Sequence, residues 1–248
     1  MKARIQAALI ALVVATACVV GIASPAQAAL TYFYSGFKMT AVTNGVAGNL
    51  TVANPIPAAG DFHSLAEFAV STTNQQQVIE VGWTVDPTTF GDNNTHLFVG
   101  RWLNGVFGGY NSGGWVDYAA NPVNAGANIT GAVGGPSIPF GILHSGTSWW
   151  LYYNSVAIGS YPDSVWGGTF TAGGLNQAFG EVAANVAAPC TDMGNGAFAS
   201  ATTGATFGSV SNQGGPTFSG TPFASNAAYY NNYLASTRTL RYGGPGAC

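Results

Sequence analysis

The stretch Gln77–Pro87, with the sequence QVIEVGWTVDP, determines how we interpret the rest of the chain. Its residues alternate with the period of two that is typical of a β-strand. Val81 and Trp83 fall on an apolar face, whereas Glu80 lies on the other face beside the small residue Gly82. A carboxylate in the middle of a strand, among small neighbours, indicates an open groove or a buried pocket. Glu80 is therefore a candidate functional residue.

Short apolar runs separated by Gly, Asn, Ser and Pro continue this pattern on both sides of the opening stretch. They predict a hairpin across Asn154–Ser155 and a short helical turn within residues 162–170, and they leave residues 121–146 loop-like. Further strands are predicted over residues 31–39, 45–52, 63–70, 95–102, 148–153, 156–161 and 178–186. Helical periodicity and internal repeats are absent from the sequence, so we predict an all-β fold, an antiparallel β-sandwich of the jelly-roll or concanavalin-like type.

The N-terminal residues have the pattern of a secretory signal peptide. Lys2 and Arg4 precede an apolar run over residues 7–23, and the small-x-small sequence of residues 26–28 follows it. This order predicts cleavage near Ala28 and a secreted, extracellular protein with a single domain over residues 29–248. The alternative, an uncleaved membrane anchor, is disfavoured because the run is short.

Charged residues are scarce, at 6% of the chain. Without residues 1–28, four basic residues stand against nine acidic ones, a net charge of about −5. No basic patch is available to neutralise phosphates, which excludes nucleic acid as a partner. So few charges also suit an acidic medium, because few paired carboxylates would have to be protonated there.

Two cysteines, Cys190 and Cys248, remain after the predicted cleavage. An isolated pair in an oxidising compartment usually forms a disulfide, and the alternative of a nucleophilic cysteine has no supporting context. The disulfide would close a loop of about 58 residues and contribute roughly 3–4 kcal/mol to stability. These two cysteines and three scattered histidines do not form a metal site, so no metal is expected.

Glutamate occurs only three times, at Glu67, Glu80 and Glu181, and the last two lie mid-strand beside small residues. Two carboxylates in one cleft raise the pKa of one another, so that one can act as general acid and the other as general base. Such a pair can add water across a peptide or a glycosidic bond. The alternative is that both are ordinary solvent-facing residues, because alternation alone does not show that two strands face one cleft.

Other catalytic or binding chemistry has weaker support in the sequence. His63, His96 and His144 could belong to a serine triad, but no Gly-x-Ser-x-Gly turn accompanies them, and structural roles are more typical. The six tryptophans could form a saccharide-stacking surface or belong to the core. A jelly-roll glycoside hydrolase that uses the same two glutamates and a non-catalytic carbohydrate-binding module therefore remain alternatives.

Short blocks in register along the chain resemble the neprosin family of glutamic peptidases. The blocks are residues 63–65, 79–87, 91–92, 95–98, 102, 109–111, 149–151, 158–162, 180–182, 193–196 and 242–246. Each block is weak by itself, but their order and spacing agree with the family over residues 60–248. The resemblance implies a β-sandwich like those of other glutamic peptidases and two catalytic glutamates, which fall on Glu80 and Glu181.

The same resemblance implies cleavage of peptide bonds at acidic pH, after proline in the best-known members, by direct attack of water. A peptide or protein substrate is then the expected partner, with no cofactor and no membrane after signal cleavage, and we expect a monomer. Candidate substrate-binding residues at the border of the cleft are Trp83, Tyr110, Asn111, Trp115 and Tyr161, although alternation directs Trp83 toward the core.

Four features depart from the pattern of the plant members. The cysteines that flank their Tyr-Asn block are absent around Tyr110 and Asn111. Ala178-Phe179 stands in place of their Trp-Gly, and Gly159–Pro162 replaces Gly-Tyr-Trp-Pro. The segment between the predicted signal peptide and the domain is also too short for their inhibitory prodomain.

Overall fold

Strands joined by turns make up most of the computed structural model, which describes residues 30–248; the predicted signal peptide lies outside these described residues. In chain order, the strands of this part are β1 (Thr31–Thr43), β2 (Gly45–Leu50), β3 (Asp61–Ser71), β4 (Val78–Val85), β5 (His96–Leu103), β6 (Val106–Phe107), β7 (Val116–Asp117), β8 (Ile138–Ser145), β9 (Ser148–Tyr153), β10 (Val156–Pro162), β11 (Gly173–Ala184), β12 (Ala205–Asn212), β13 (Thr221–Ala224), β14 (Asn231–Ser236) and β15 (Thr239–Gly243). One short helix, α1 (Pro87–Phe90), and 3₁₀ turns at Thr130–Ala132 and Asp163–Trp166 complete the described elements.

The strands form two antiparallel sheets that pack face to face. The seven-stranded sheet has the order β13-β1-β11-β3-β4-β5-β6, and the eight-stranded sheet has the order β14-β15-β12-β2-β8-β9-β10-β7. β4 and β11 are thus separated by one strand, β3, although they are far apart in the chain. This confirms the predicted antiparallel β-sandwich.

Alternation along the strands explains how the two sheets pack. In β4, Ile79, Val81, Trp83 and Val85 are fully buried and face the second sheet. Phe68 of β3 packs in the same layer against Phe207 of β12, with ring centroids 5.8 Å apart. The core therefore lies between the sheets. The outer face of the seven-stranded sheet is not part of this core and is available for a functional site.

Local turn chemistry fixes several connections. Asn154 and Ser155 have φ of 50° and 63°, the left-handed backbone that a two-residue hairpin turn requires, and they join β9 to β10 as predicted. The Asp86 side chain accepts from the Thr89 backbone N–H and begins α1, and Gly91, with φ of 79°, ends it. This single turn of helix was not predicted.

The predicted loop-like character of residues 121–146 is wrong in its second half. Ile138–Ser145 forms β8, which pairs with β2 and β9 in the middle of the eight-stranded sheet. In the first half, Asn128 makes an isolated bridge to His96. Four further strands, β12 to β15, lie in the C-terminal tail (residues 205–243), where the alternation predicted no strand. The predicted helical turn is confirmed at Asp163–Trp166.

Candidate active site

The register of three strands brings Glu80 and Glu181 to one surface. Glu80 lies opposite Ala69 of β3, and Glu181 lies opposite Leu65 of the same strand. Ala69 and Leu65 are four residues apart on β3, so their side chains point to the same face, as do those of the residues opposite them. Both glutamates therefore project from the outer face of the seven-stranded sheet.

A groove of about 390 Å³ follows this face and contains both carboxyl groups. Besides the two glutamates, its lining comprises Tyr34, Lys38, Ala69, Gln75, Val78, Trp102, Gln177, Phe179 and Phe223. An apolar depression elsewhere contains no titratable side chain other than Tyr152, so it lacks the pair of groups that acid–base chemistry needs. The groove with the two glutamates opens to solvent, so a substrate can enter it.

Glu80 is enclosed by neighbouring side chains although part of the residue opens to the groove. The Trp102 indole Nε1–H donates to Glu80 Oε1 over 2.8 Å. Burial, opposed by the Trp102 hydrogen bond and assisted by the charge of Glu181, raises the pKa of Glu80 to about 8. The balance keeps the Glu80 carboxyl protonated at acidic and neutral pH.

Gly100 of β5 provides the space for this carboxyl. It lies directly opposite Glu80, and a Cβ atom at this position would stand 2.6 Å from Glu80 Oε2. Any larger residue at position 100 would displace the carboxyl group from its place against Trp102.

Glu181 has a different environment. The His63 ring Nε2 lies 2.7 Å from Glu181 Oε1, and both side chains are mostly buried. Tyr34 of β1 is opposite Glu181, and its pKa is raised by burial first and then by the Glu181 charge. His63 and Tyr34 thus place two polar side chains beside Glu181, whereas Glu80 is held by a single indole donor.

A third carboxyl, that of Glu67, lies beneath the same face. Glu67 of β3 is opposite Gly82 on one side and Phe179 on the other, and only 3% of the residue is exposed. Burial, and then the charges of Glu80 and Glu181, raise its pKa well above the usual range. All three glutamates of the chain thus belong to one site.

Aromatic side chains form one wall of the groove. Phe179 contacts Tyr34 edge-on, with ring centroids 5.7 Å apart, and Phe223 of β13 lies 6.2 Å from Phe179. The Lys38 ammonium stands 5.4 Å above the Phe223 ring and is the basic residue of the lining. The wall offers an apolar surface for substrate side chains close to Glu181.

Two predicted substrate-binding residues are not available to a ligand. Trp83 is fully buried between the sheets, and its Nε1–H donates to the Thr51 carbonyl over 2.9 Å. Tyr161 is also fully buried, and its hydroxyl donates to the Ser112 carbonyl over 3.0 Å. Assigning these residues to substrate binding was therefore wrong, because their strand positions direct them into the core.

The other three candidates lie outside the groove lining, at the side of β5. Tyr110 packs against Phe98, with ring centroids 5.1 Å apart, and the charges of the three glutamates contribute to its raised pKa after burial. Asn111 holds this segment to β5, since its Oδ1 accepts from the Val99 backbone N–H over 3.0 Å. Trp115 packs on Tyr161, away from the carboxyl groups. Of the three residues, Tyr110 is the one whose pKa is raised by the charges of the glutamates.

The remaining candidate ligands and nucleophiles are used structurally. His96 pairs with Asp92 and His144 pairs with Asp163, each at 2.9 Å. Cys190 and Cys248 form the predicted disulfide. Within residues 30–248, no group of three His, Cys, Asp or Glu side chains is arranged to hold a metal ion.

Several groove residues were not predicted from the sequence. Trp102 and Phe179 occur in predicted strands, but only the pairing of those strands shows that both border the groove. His63 was noted as a histidine, and its partner is on β11, 118 residues away. Phe223 lies in the tail, where no strand was predicted. The common cause is that long-range pairing is not visible in local alternation.

The fold and the site define a β-sandwich protein with two glutamates in a groove on the outer face of one sheet. The sequence profile of the family named Neprosin matches residues 60–245, most of the chain. The chain therefore belongs to the neprosin family, a family of peptidases. The family match favours a peptidase over the glycoside hydrolase and the carbohydrate-binding module.

Solved structures with a similar fold include scytalido-glutamic peptidase bound to a peptide-based transition-state analogue, with a TM-score of 0.48 and 11% identity. They also include SCP-B, a member of the eqolisin family of peptidases, bound to the tripeptide Ala-Ile-His, with a TM-score of 0.48 and 10% identity. Each comparison covers 88% of this chain and 100% of the other chain. Among curated protein sequences, none matches this chain.

Proposed function

We propose that this protein is a secreted glutamic endopeptidase in which Glu181 is the general base and Glu80 is the general acid. The observation that carries the proposal is the contrast between two carboxyls in one groove. Glu181 is hydrogen-bonded to His63 and lies opposite Tyr34, whereas Glu80 is enclosed beside Trp102, and burial, as the largest cause, raises its pKa to about 8. Paired carboxyls whose environments separate their protonation states are the arrangement that acid–base hydrolysis needs.

In the proposed reaction, the Glu181 carboxylate takes a proton from water as the water oxygen bonds to the peptide carbonyl carbon. Protonated Glu80 donates to the amide nitrogen, and the C–N bond breaks to release an amine and a carboxylic acid. The extra proton on Glu181 returns through solvent to Glu80. The neutral Tyr34 hydroxyl, beside Glu181 in the groove lining, is a suitable donor to the tetrahedral oxyanion.

The groove also suggests how a peptide is held. Its open shape suits an extended chain, and the wall of Tyr34, Phe179 and Phe223 offers apolar faces against which a proline ring would pack. Preference for proline is therefore part of the proposal. Secretion is supported by the N-terminal sequence pattern and by the Cys190–Cys248 disulfide, since such bonds persist in oxidising compartments.

The first test is replacement of each proposed catalytic group by its neutral isostere. E80Q and E181Q should each lower kcat/KM on a mixed peptide pool by on the order of 10³-fold or more, with little change in Tm. The cleaved bonds, read by mass spectrometry, also report any proline preference. D117N removes a carboxylate from an exposed strand outside the groove and serves as the control. Near-normal activity of E80Q or E181Q would contradict the proposed pair.

A second substrate separates the two roles. An ester with a good leaving group needs no protonation to depart, so E80Q should regain much of its lost activity on such an ester. E181Q should stay inactive on both substrates, because water still has to be deprotonated. If instead E181Q regains activity on the ester and E80Q stays inactive, Glu80 is the general base and Glu181 is the general acid.

A further inference from the structure

The proposed pair leaves one buried carboxyl without a role. Glu67 lies on β3, the strand between those that carry Glu80 and Glu181, and the diagonal from Glu80 to Glu181 passes over it. Its neighbours in register are Gly82 and Phe179, so no polar group lies directly beside it on either strand. A buried carboxyl between two carboxyls that line the groove requires a physical explanation.

No cation compensates a charge on Glu67. The titratable groups that face it are Glu80 on β4, Glu181 on β11, Tyr34 on β1, His63 on its own strand and Tyr110 beyond β6. His63 is already paired with Glu181, and the ion pairs found within residues 30–248 do not include Glu67.

More distant groups do not change this conclusion. Lys38 stands at the exposed end of the groove over Phe223, and His96 on β5 is bonded to Asp92. Asp86, at the end of β4, adds a further acidic group rather than a cation. Burying an unpaired carboxylate costs much more than burying a neutral carboxyl, so Glu67 is stable here only with its proton.

We propose that Glu67 is a positioning residue of the site, a carboxyl that remains protonated while the enzyme works and acts as a neutral hydrogen-bonding spacer between Glu80 and Glu181. The effect of Glu67 on catalysis rests on the proposed function, whereas the protonation state of Glu67 does not. The side-chain hydrogen bonds of Glu80 and Glu181 join Trp102 and His63, and none found among residues 30–248 involves a carboxyl oxygen of Glu67, so its O–H is free to donate to a neighbouring carboxylate.

A neutral group between the two catalytic carboxyls has a clear advantage. A third negative charge would repel the Glu181 carboxylate and favour its protonation, which would remove the base. An apolar residue would avoid that charge but could not donate a hydrogen bond to either catalytic carboxyl. The raised pKa of Glu67, caused by burial and by the two neighbouring glutamates, agrees with this role.

Protonation is tested by thermal unfolding of E67Q and the unchanged protein between pH 4.5 and 7.5. A carboxyl whose pKa is raised by folding contributes its full stability at a pH below its unfolded-state pKa. This contribution is lost as pH rises toward the folded-state pKa. Gln cannot ionise, so the Tm of E67Q minus the Tm of the unchanged protein should increase by about 3–5 °C for each unit that the pH rises.

The control for this experiment is D92N. The hydrogen bond from His96 lowers the pKa of Asp92, so the stability due to Asp92 is lost as pH falls. That loss occurs below the usual carboxyl range, so between pH 4.5 and 7.5 the Tm of D92N relative to the unchanged protein should stay constant. A Tm difference between E67Q and the unchanged protein that stays constant with pH would overturn the protonated state of Glu67.

The positioning role is tested by kinetics with two variants at the same position. E67Q keeps a neutral hydrogen-bonding group and should retain kcat/KM within about tenfold of the unchanged enzyme at pH 5. E67L has similar volume but no hydrogen bond and should lose on the order of 10²–10³-fold in kcat, with a smaller change in KM.

Two kinetic outcomes would overturn the role. If E67L is as active as E67Q, no hydrogen bond from position 67 is needed. If E67Q is as inactive as E80Q, Glu67 transfers a proton itself and is not a spacer. Should the unchanged protein cleave no peptide at all, the proposed function fails, and the unfolding experiment still decides the protonation state of Glu67.

Discussion

The two proposed catalytic glutamates differ in the hydrogen bonds that each receives. Glu181 is contacted by a histidine and lies opposite a tyrosine, whereas Glu80 accepts from an indole in an enclosed position. These contacts come from side chains on β1, β3 and β5, so the acid–base difference results from the packing of neighbouring strands. A single residue on those strands can then tune one carboxyl without touching the other.

Trp102 is such a residue, and W102F should change the pH dependence of activity. The indole hydrogen bond lowers the pKa of Glu80, which lies at about 8, and its removal raises that pKa. Activity falls as pH rises through the pKa of Glu80, because the general acid loses its proton. The alkaline limb of kcat/KM should therefore move to higher pH in W102F.

The measurement is the pH profile of kcat/KM from pH 4 to 10 on one peptide. Y110F is the matched control, because Tyr110 lies near the same carboxyls without donating to Glu80. An alkaline limb that moves to lower pH in W102F would show that Glu80 does not control it.

At the level of elements, β4 carries two functions on its two faces. Its outer face presents Glu80 to the groove, and its inner face places Trp83 in the core, with the indole N–H bonded to Thr51. The resemblance to the family placed both residues in the site, whereas the period of two assigned them to opposite faces. The structure agrees with the period, because the sheet buries everything on its inner side.

This difference predicts the effect of W83F. Removing part of a fully buried indole and its hydrogen bond should destabilise the protein by about 2–4 kcal/mol. The KM for peptide should stay close to that of the unchanged enzyme, since Trp83 does not reach the groove. Urea unfolding measures the first quantity and steady-state kinetics the second. A large rise in KM with unchanged stability would restore Trp83 to the substrate site.

The limits of sequence interpretation also appear at this level. Strands with clear alternation, such as β3 and β4, and the hairpin at Asn154–Ser155 were predicted close to their observed bounds. β8 was missed because Pro139 and Gly141 interrupt its pattern, although pairing on both sides compensates for them. Phe223 escaped notice for a similar reason, since β13 has only four residues and is held by β1. The missed strands and the missed groove residues have one cause. Both depend on pairing between strands that are distant in the chain, and a local sequence pattern does not contain this information.

For the whole molecule, the C-terminal residues close the structure beside the site-bearing sheet. Tyr242 of β15 is fully buried and stacks on Phe207, with ring centroids 4.4 Å apart, and a Cβ on Gly180 of β11 would meet its ring at 2.6 Å. Gly180 directly precedes Glu181. The position of Glu181 is thus coupled by packing to β15, which ends five residues before the disulfide at Cys248.

Loss of this disulfide should therefore weaken the fold more than the site. Cys190 and Cys248 are 58 residues apart, and in the chain-entropy account a loop of this length contributes about 4 kcal/mol. The double variant C190S/C248S should unfold about 8–16 °C lower, because a domain of this size loses about 2–4 °C per kcal/mol. At temperatures where it stays folded, it should keep most of its activity, since the packing of Tyr242 on Phe207 and Gly180 is independent of the disulfide.

Calorimetry with and without reductant measures the stability, and the reduced unchanged protein should match the double variant. Activity lost far below the Tm would show instead that the covalent link itself positions Glu181.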